Sequence, residues 1–172
     1  MKCTSLSMAG VSATVNNVAA PLYFVSPGQV NLQIPYETSA GPAVLGINNN
    51  GAVASAIINI APNAPGIFSP LNAAKQGETM SLFVTGEGDV KPALLTGQSP
   101  DGFVPQPIAP VTVTVGGKNA AITFVGIPSG LVGTAQVNFT VPANVPAGVQ
   151  PVVATVGSVA SPPVNLTVNP GG

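Results

Sequence analysis

The sequence predicts an all-β protein made of two tandem β-sandwich domains, the first lacking its opening strand. Three observations carry this. Short runs alternate β-branched and small polar residues, with no helical stripe in any ten-residue window. Turn residues bound these runs, and the chain's 20 Gly and 19 Pro are spread evenly rather than gathered in one tail. Finally, one unit occurs twice. Val11-Ser-Ala-Thr-Val-Asn-Asn-Val-Ala-Ala-Pro-Leu-Tyr-Phe-Val25 aligns without a gap on Val111-Thr-Val-Thr-Val-Gly-Gly-Lys-Asn-Ala-Ala-Ile-Thr-Phe-Val125. Gln29-Val30-Asn31-Leu32-Gln33-Ile34-Pro35 returns as Gln136-Val137-Asn138-Phe139-Thr140-Val141-Pro142, Ala40-Gly41 as Ala147-Gly148, and Val53-Ala54-Ser55 as Val159-Ala160-Ser161.

The elements follow in order. In the first copy the strands are expected at Val11 to Val15, Gln29 to Ile34, Ala43 to Ile47 and Ala56 to Ile60. In the second they are expected at Met80 to Thr85, Val111 to Val115, Ala121 to Val125, Ala135 to Val141, Val152 to Val156 and Val164 to Val168. Asn16-Asn17, Asn50-Gly51 and Gly116-Gly117 are hairpin turns, because these residues tolerate the positive φ that tight turns demand. Pro35 and Pro142 each end a strand, since proline brings no amide to the ladder. Ala61-Pro62-Asn63-Ala64-Pro65-Gly66 is a short stiff linker. It divides the chain into residues 1–62 and 63–172, with Phe68 expected in the seam between them.

The copies differ at the front. Gly66 to Pro110 precede the second Val-Thr-Val-Thr-Val run, whereas only Met1 to Gly10 precede the first. If both copies fold alike, the first has no counterpart of the strand Met80 to Thr85.

These residues resemble a known family. Gly77-Glu-Thr-Met-Ser-Leu-Phe-Val-Thr-Gly-Glu-Gly88, Ala109-Pro-Val-Thr-Val-Thr-Val-Gly-Gly117 and Gly133 to Pro142 are similar to the uncharacterised C-terminal domain family first noted in Solibacter. Ala19 to Asn31 and Ile34-Pro35-Tyr36-Glu37-Thr38 resemble it as closely. The resemblance implies paired immunoglobulin-like or IPT-like sandwiches at the ends of large secreted acidobacterial proteins. It implies no activity, and no catalytic or binding residue is carried over. Members of that family have further sequence ahead of the first copy, including a Gly-rich strand like Gly77 to Gly88, and this chain does not.

Composition narrows the function. Apolar residues make up 45% and charged residues 5%, against the usual quarter charged. Such a surface suits burial against copies of the same chain; a secreted module with a neutral polar face is the other reading. Four basic residues, all Lys, cannot neutralise a phosphate backbone, so nucleic acid is not an expected partner. No apolar run reaches the length of a membrane span. Met1 to Met8 lacks the apolar core of a leader, so the expectation is either a leader outside this sequence or the tail of a longer protein. Cys3 has no second cysteine to pair with, leaving an ordinary thiol near a chain end, an intermolecular bridge or a lipid attachment.

Chemistry finds little support. The sequence has no His, hence no His-based triad and no imidazole metal site. The carboxylates are Glu37, Glu78, Glu87, Asp89 and Asp101. Glu87 and Asp89 lie in Gly86-Glu87-Gly88-Asp89, expected to be a solvated turn, with a weak Ca²⁺ contact as the alternative. No catalytic, cofactor or metal residues are assigned. Asn138-Phe139-Thr140 and Asn165-Leu166-Thr167 match the glycosylation sequon, a pattern that alternating strands also produce by chance. Asn31, Asn138, Asn59 and Asn165 recur at equivalent places, as an outward polar ladder or as bonds to loops. Tyr23 and Tyr36 are expected at sandwich edges, or as a platform for surface glycans.

The missing strand suggests the mechanism. A sandwich without it exposes unpaired backbone and an open apolar groove, which strand addition from another chain can fill. If the donor is an identical subunit, the contact is head to tail and a filament follows. The expected donors are Met1 to Gly10 or the last strand, Val164 to Val168. The sequence therefore points to a non-enzymatic extracellular or cell-surface structural protein that self-associates, or to an adhesion or spacer module of a larger surface protein.

Overall fold

The computed structural model describes residues 5–171. It is all-β: two tandem immunoglobulin-like sandwiches, with no helix among the described residues. The first unit contains β1 (Ser7–Met8), β2 (Val11–Val15), β3 (Val18–Ala20), β4 (Leu22–Ser26), β5 (Gln29–Leu32), β6 (Gly41–Asn49) and β7 (Ala52–Ile60). One layer runs β1-β2-β6-β7 with β3 also on β2, and the other is the pair β4-β5. Alternation along β2 places Val11, Ala13 and Val15 inside, where they meet Ala20 and Leu22.

The second unit opens with β8 (Gly66–Ile67), β9 (Ala74–Lys75), β10 (Thr79–Thr85), β11 (Val90–Lys91) and β12 (Gln106–Pro107). It continues with β13 (Val111–Val115), β14 (Lys118–Gly126), β15 (Ala135–Thr140), β16 (Gly148–Val156), β17 (Val159–Ala160) and β18 (Val164–Asn169). One layer is β8-β10-β15-β14, and the other is β14-β13-β16-β18-β9 with β17 beside β16. β14 belongs to both layers. Its start pairs with β13 through Lys118 to Ala120 and its remainder pairs with β15 from Ala121 onward. Between the layers Leu82, Val84, Val137 and Phe139 pack against Val113, Val115, Val152, Leu166 and Val168.

The two units repeat one another in detail. The strand that changes layer is continuous in the second unit. In the first it is split into β3 and β4 by Pro21, which stands where the second has Ala121 and has no amide to offer. A bulge follows at the same place in both, between Leu22 and Phe24 and between Ile122 and Phe124. The tight turns also correspond: Asn16 and Asn17 take φ of 48° and 66°, Gly116 and Gly117 of 55° and 74°. Leu22 to Ser26 forms a strand although its sequence shows little alternation. It is the counterpart of Ile122 to Gly126 and inherits the same place in the layer. β7 runs unbroken for nine residues, whereas Ser161-Pro162-Pro163 divides β17 from β18.

Candidate functional site

The open side of the first sandwich is the feature with most consequence. In the second unit that side is closed by a strap, residues 74–85. β9 lies parallel to the edge of β18 through Ala74↔Val168 and Lys75↔Asn169. The chain then turns at Gln76 to Glu78, and β10 runs antiparallel along β15 from Thr79↔Thr140 to Val84↔Ala135. The turn is tied down at both layers. Gln76 N–H donates to the Asn169 carbonyl at 3.0 Å, Gly77 N–H to the Val141 carbonyl at 2.8 Å, and Val141 N–H to the Glu78 carbonyl at 2.9 Å. The Glu78 carboxylate accepts from Lys75 N–H at 2.7 Å.

Among the described residues the first unit has no such strap. β5 pairs with β4 alone and β7 with β6 alone. The consequence is visible position by position. Val137, Phe139, Val141, Leu166 and Val168 are fully buried. Their counterparts Val30, Leu32, Ile58 and Ile60 are only half-buried, and Ile34, the counterpart of Val141, is 39% exposed. Chemically these are the same aliphatic positions; what differs is the cover. The Ile34 amide and carbonyl have no backbone partner among the described residues, unlike those of Val141. Backbone groups alternate sides along a strand. Gln33 N–H points back to the Pro21 carbonyl at 3.0 Å, so the amides of Val30, Leu32 and Ile34 face the open edge. On the outer face of β6 and β7, Val44 and Ile57 sit opposite each other, with Ile57 82% exposed.

The expected donor strands are not free. β18 is paired on both sides, with β16 and with β9, and its Leu166 and Val168 fill the second core. Ser7 and Met8 pair with β2, and Ser5 bridges to Leu22. Cys3 and the rest of Met1 to Thr4 lie outside the described residues.

A second cluster sits where the two units meet. The Tyr23 hydroxyl, on the bulge of β4, donates to the Val132 carbonyl at 2.9 Å. Tyr36 packs against Val90, Ile127 and Ala135, and its N–H donates to Thr96 Oγ1 at 2.9 Å. The Thr96 hydroxyl in turn donates to the Glu37 carboxylate at 2.7 Å, and Gly97 N–H to the buried Gln33 Oε1 at 2.8 Å. Both tyrosines are thus engaged across the seam and do not form a free stacking platform. Burial pushes both hydroxyls well above the ordinary tyrosine range, with the Glu87 carboxyl adding to it.

Glu87 overturns the expectation of a solvated turn. It is 4% exposed, and its Oε2 finds no hydrogen-bond partner among the described residues. Burial raises its pKa from 4.5 to about 7, partly opposed by a hydrogen bond to its own backbone. The loop is held there because Gly86 and Gly88 both take positive φ and lie against the linker. A Cβ on Gly86 would run into the Ala64 carbonyl, and one on Gly88 into that of Pro62. Asp89 and Asp101 are exposed. Among the described residues no three acidic or sulfur side chains gather as a metal would require.

Phe68 also departs from expectation. It is exposed and lines a shallow depression with Met80 to Phe83 on the outside of the second unit, not the seam. Its amide donates to the Phe83 carbonyl at 3.0 Å, so β8 continues along β10 and carries Phe68 outward. Asn138 lies on β15, its Oδ1 accepting from Ser81 Oγ at 2.7 Å and Gln136 Nε2 at 2.8 Å. Asn31 repeats half of this, accepting from Gln29 Nε2 at 2.7 Å. Asn165 is exposed on β18 and Asn59 on β7, but the two are not equivalent: Asn59 stands opposite Pro42 and Asn165 opposite Pro151, so the residue that matches Asn59 is Thr167, opposite Val149. The tethers Thr96 and Gly97 carried no repeat signal, because the segment holding them has no counterpart in the first copy, and nothing in the sequence marked Gln33 or Val132 as tethers.

No family model and no curated protein matches the chain. Among solved structures it is similar to domains 4 and 5 of the S-layer protein SbsC, at 14% identity and a TM-score of 0.32, covering 96% of this chain and 79% of that one. It is also similar to tandem Ig repeats of Dlar, at 13% identity, a TM-score of 0.29, and 94% and 82% coverage. The titin Ig tandem A164-A165 follows at 12% identity, a TM-score of 0.29, and 95% and 91% coverage. Scores this low carry no argument, and the tandem sandwich rests on the strand pairing described above.

Proposed function

We propose that this chain is a non-enzymatic structural module of an extracellular or cell-surface assembly, joined to its neighbours by strand complementation at the open side of the first sandwich. The observation behind this reading is the contrast between equivalent positions. Val141 is fully buried under its strap, whereas Ile34 is 39% exposed with none. Uncovered aliphatic side chains beside an unpaired strand edge invite a further strand, since both the apolar area and the backbone groups gain by it. Low charge agrees with a surface buried in an assembly: 5% charged residues and a net charge of −1 leave little repulsion between copies. In the self-associating form the contact is head to tail and the product is a filament.

A second reading has its own support. The described parts of both terminal segments are already paired within their own units. This favours a complementing strand from elsewhere in a larger surface protein, with this chain as an adhesion or spacer module.

Negative-stain electron microscopy of the purified protein over a concentration series separates the two. Uniform fibres are expected for the filament. A variant with Gly66 to Pro110 duplicated ahead of Val11 closes the open side within the chain and should stay monomeric. Dispersed monomer-sized particles from the unaltered chain at every concentration would overturn self-assembly.

A further inference from the structure

We propose that the open side of the first sandwich is a two-edged receptor for a strap with the chemistry of residues 74–85, and not for a single added strand. This rests on reading that side as an acceptor. The second unit supplies the template. Its strap engages both layers: β9 parallel to β18, then a three-residue turn, then β10 antiparallel to β15. In the first unit both corresponding edges, β5 and β7, are unpaired on the same side among the described residues. A lone strand on β5 would leave the end of β7 and the Ile34 backbone uncovered, because in the second unit it is the turn that bonds Val141.

Register follows from the repeat. Met80, Ser81, Leu82 and Phe83 stand opposite Phe139, Asn138, Val137 and Gln136. Through the equivalence of β15 and β5, the incoming residues stand opposite Leu32, Asn31, Val30 and Gln29. The positions of Leu82 and Val84 point into the core and require aliphatic side chains, as both residues are buried in the second unit. The position of Ser81 points outward toward Asn31. In the second unit the Ser81 hydroxyl donates to Asn138 Oδ1 at 2.7 Å, and Asn31 offers the same acceptor, already fixed by Gln29. A small residue like Ala74 meets Ile60, and a glycine like Gly77, at φ 80°, turns the chain between the layers. The occupant is therefore a strap of no net charge, as Lys75 and Glu78 balance in the template, with glycine at the turn and alternation along its second strand. A one-residue slip would send its aliphatic side chains into solvent.

The test uses the full chain and a synthetic peptide of residues 72–86, read by calorimetry and by hydrogen exchange. Saturable one-to-one binding is expected, with new protection at the amides of Val30, Leu32 and Ile34 and at the end of β7. No change is expected in β15, whose edge is already filled. A peptide with Leu82→Asp and Val84→Asp should bind at least about tenfold more weakly, because each loses the burial of an aliphatic side chain. Ile34→Asp in the chain, at a partly exposed position that should not unfold it, should weaken binding likewise. Protection confined to β5 with none on β7 would overturn the two-edged receptor, as would equal binding by the Asp peptide. Fibres that form while the peptide neither binds nor caps their growth would sink the strap and leave assembly standing. Peptide binding by a chain that never forms fibres would support the receptor and remove the filament.

Discussion

Glu87 places a carboxyl where a carboxylate is poorly solvated, between two glycines that fix the loop against the linker. Its pKa, raised from 4.5 to about 7, means the folded protein binds its proton more tightly than the unfolded chain does. Between pH 4.5 and 7 the native state therefore holds more protons, and stability falls as pH rises through this window. The full loss above pH 7 amounts to about 3 kcal/mol. Glu87→Gln should remove this slope and make the protein more stable than the wild type at pH 8, measured as denaturation midpoints at pH 4.5 and pH 8. Equal midpoints for both proteins at both pH values would mean that the carboxyl is solvated. The sequence showed the two glycines but not the burial, because a Gly-Glu-Gly-Asp run is equally suited to a surface turn. The linker carbonyls of Ala64 and Pro62 lie against the two glycines and hold the loop in place.

Strands that are equivalent in sequence differ in how much they are worth. Val137 on β15 and Val30 on β5 are the same residue at the same place in the repeat, yet the first is fully buried and the second half-buried. Val137→Ala should cost about 2 kcal/mol, from lost burial and the cavity it leaves. Val30→Ala should cost less than half of that, since water already reaches the site and fills the space. Urea unfolding of the two variants, followed by a probe in each unit, gives the comparison, and equal costs would mean that the first core is as closed as the second. The strand pattern was readable for β2, β13 and β15, where alternation is clean. It failed at β4, whose Leu22-Tyr23-Phe24-Val25 run has no period of two because the bulge at Tyr23 interrupts it. The donor role expected of Val164 to Val168 failed for another reason. A terminal strand looks available in a sequence, but β18 lies between two partners and fills the core of its own unit.

At the scale of the molecule, a closed sandwich is tied to an open one through the contacts of Tyr23, Tyr36 and Gln33. The first unit hides less apolar surface and leaves two strand edges to water, so it should open at lower free energy than the second. Calorimetry should resolve two transitions, with hydrogen exchange assigning the lower one to residues 7–60. Filling the open side should raise the lower transition and leave the upper one in place. A single sharp transition with uniform exchange would mean that the contacts of Tyr23, Tyr36 and Gln33 couple the two units into one cooperative body.

Composition and pattern were enough for the all-β class, the repeat and the hairpin turns. Each of these is local or periodic, and a one-dimensional pattern records it directly. Folding in three dimensions settled which strand edges of the first unit stand open among the described residues, that Glu87 is buried, that Phe68 faces outward and that the tyrosines are engaged in the seam. These depend on which segments, distant in the chain, come to lie against one another. Tyr23 and Val132, 109 positions apart in the chain, are joined by a hydrogen bond. Nothing in the residues around either end announces the other, because a hydroxyl and a backbone carbonyl are present in almost any stretch of chain.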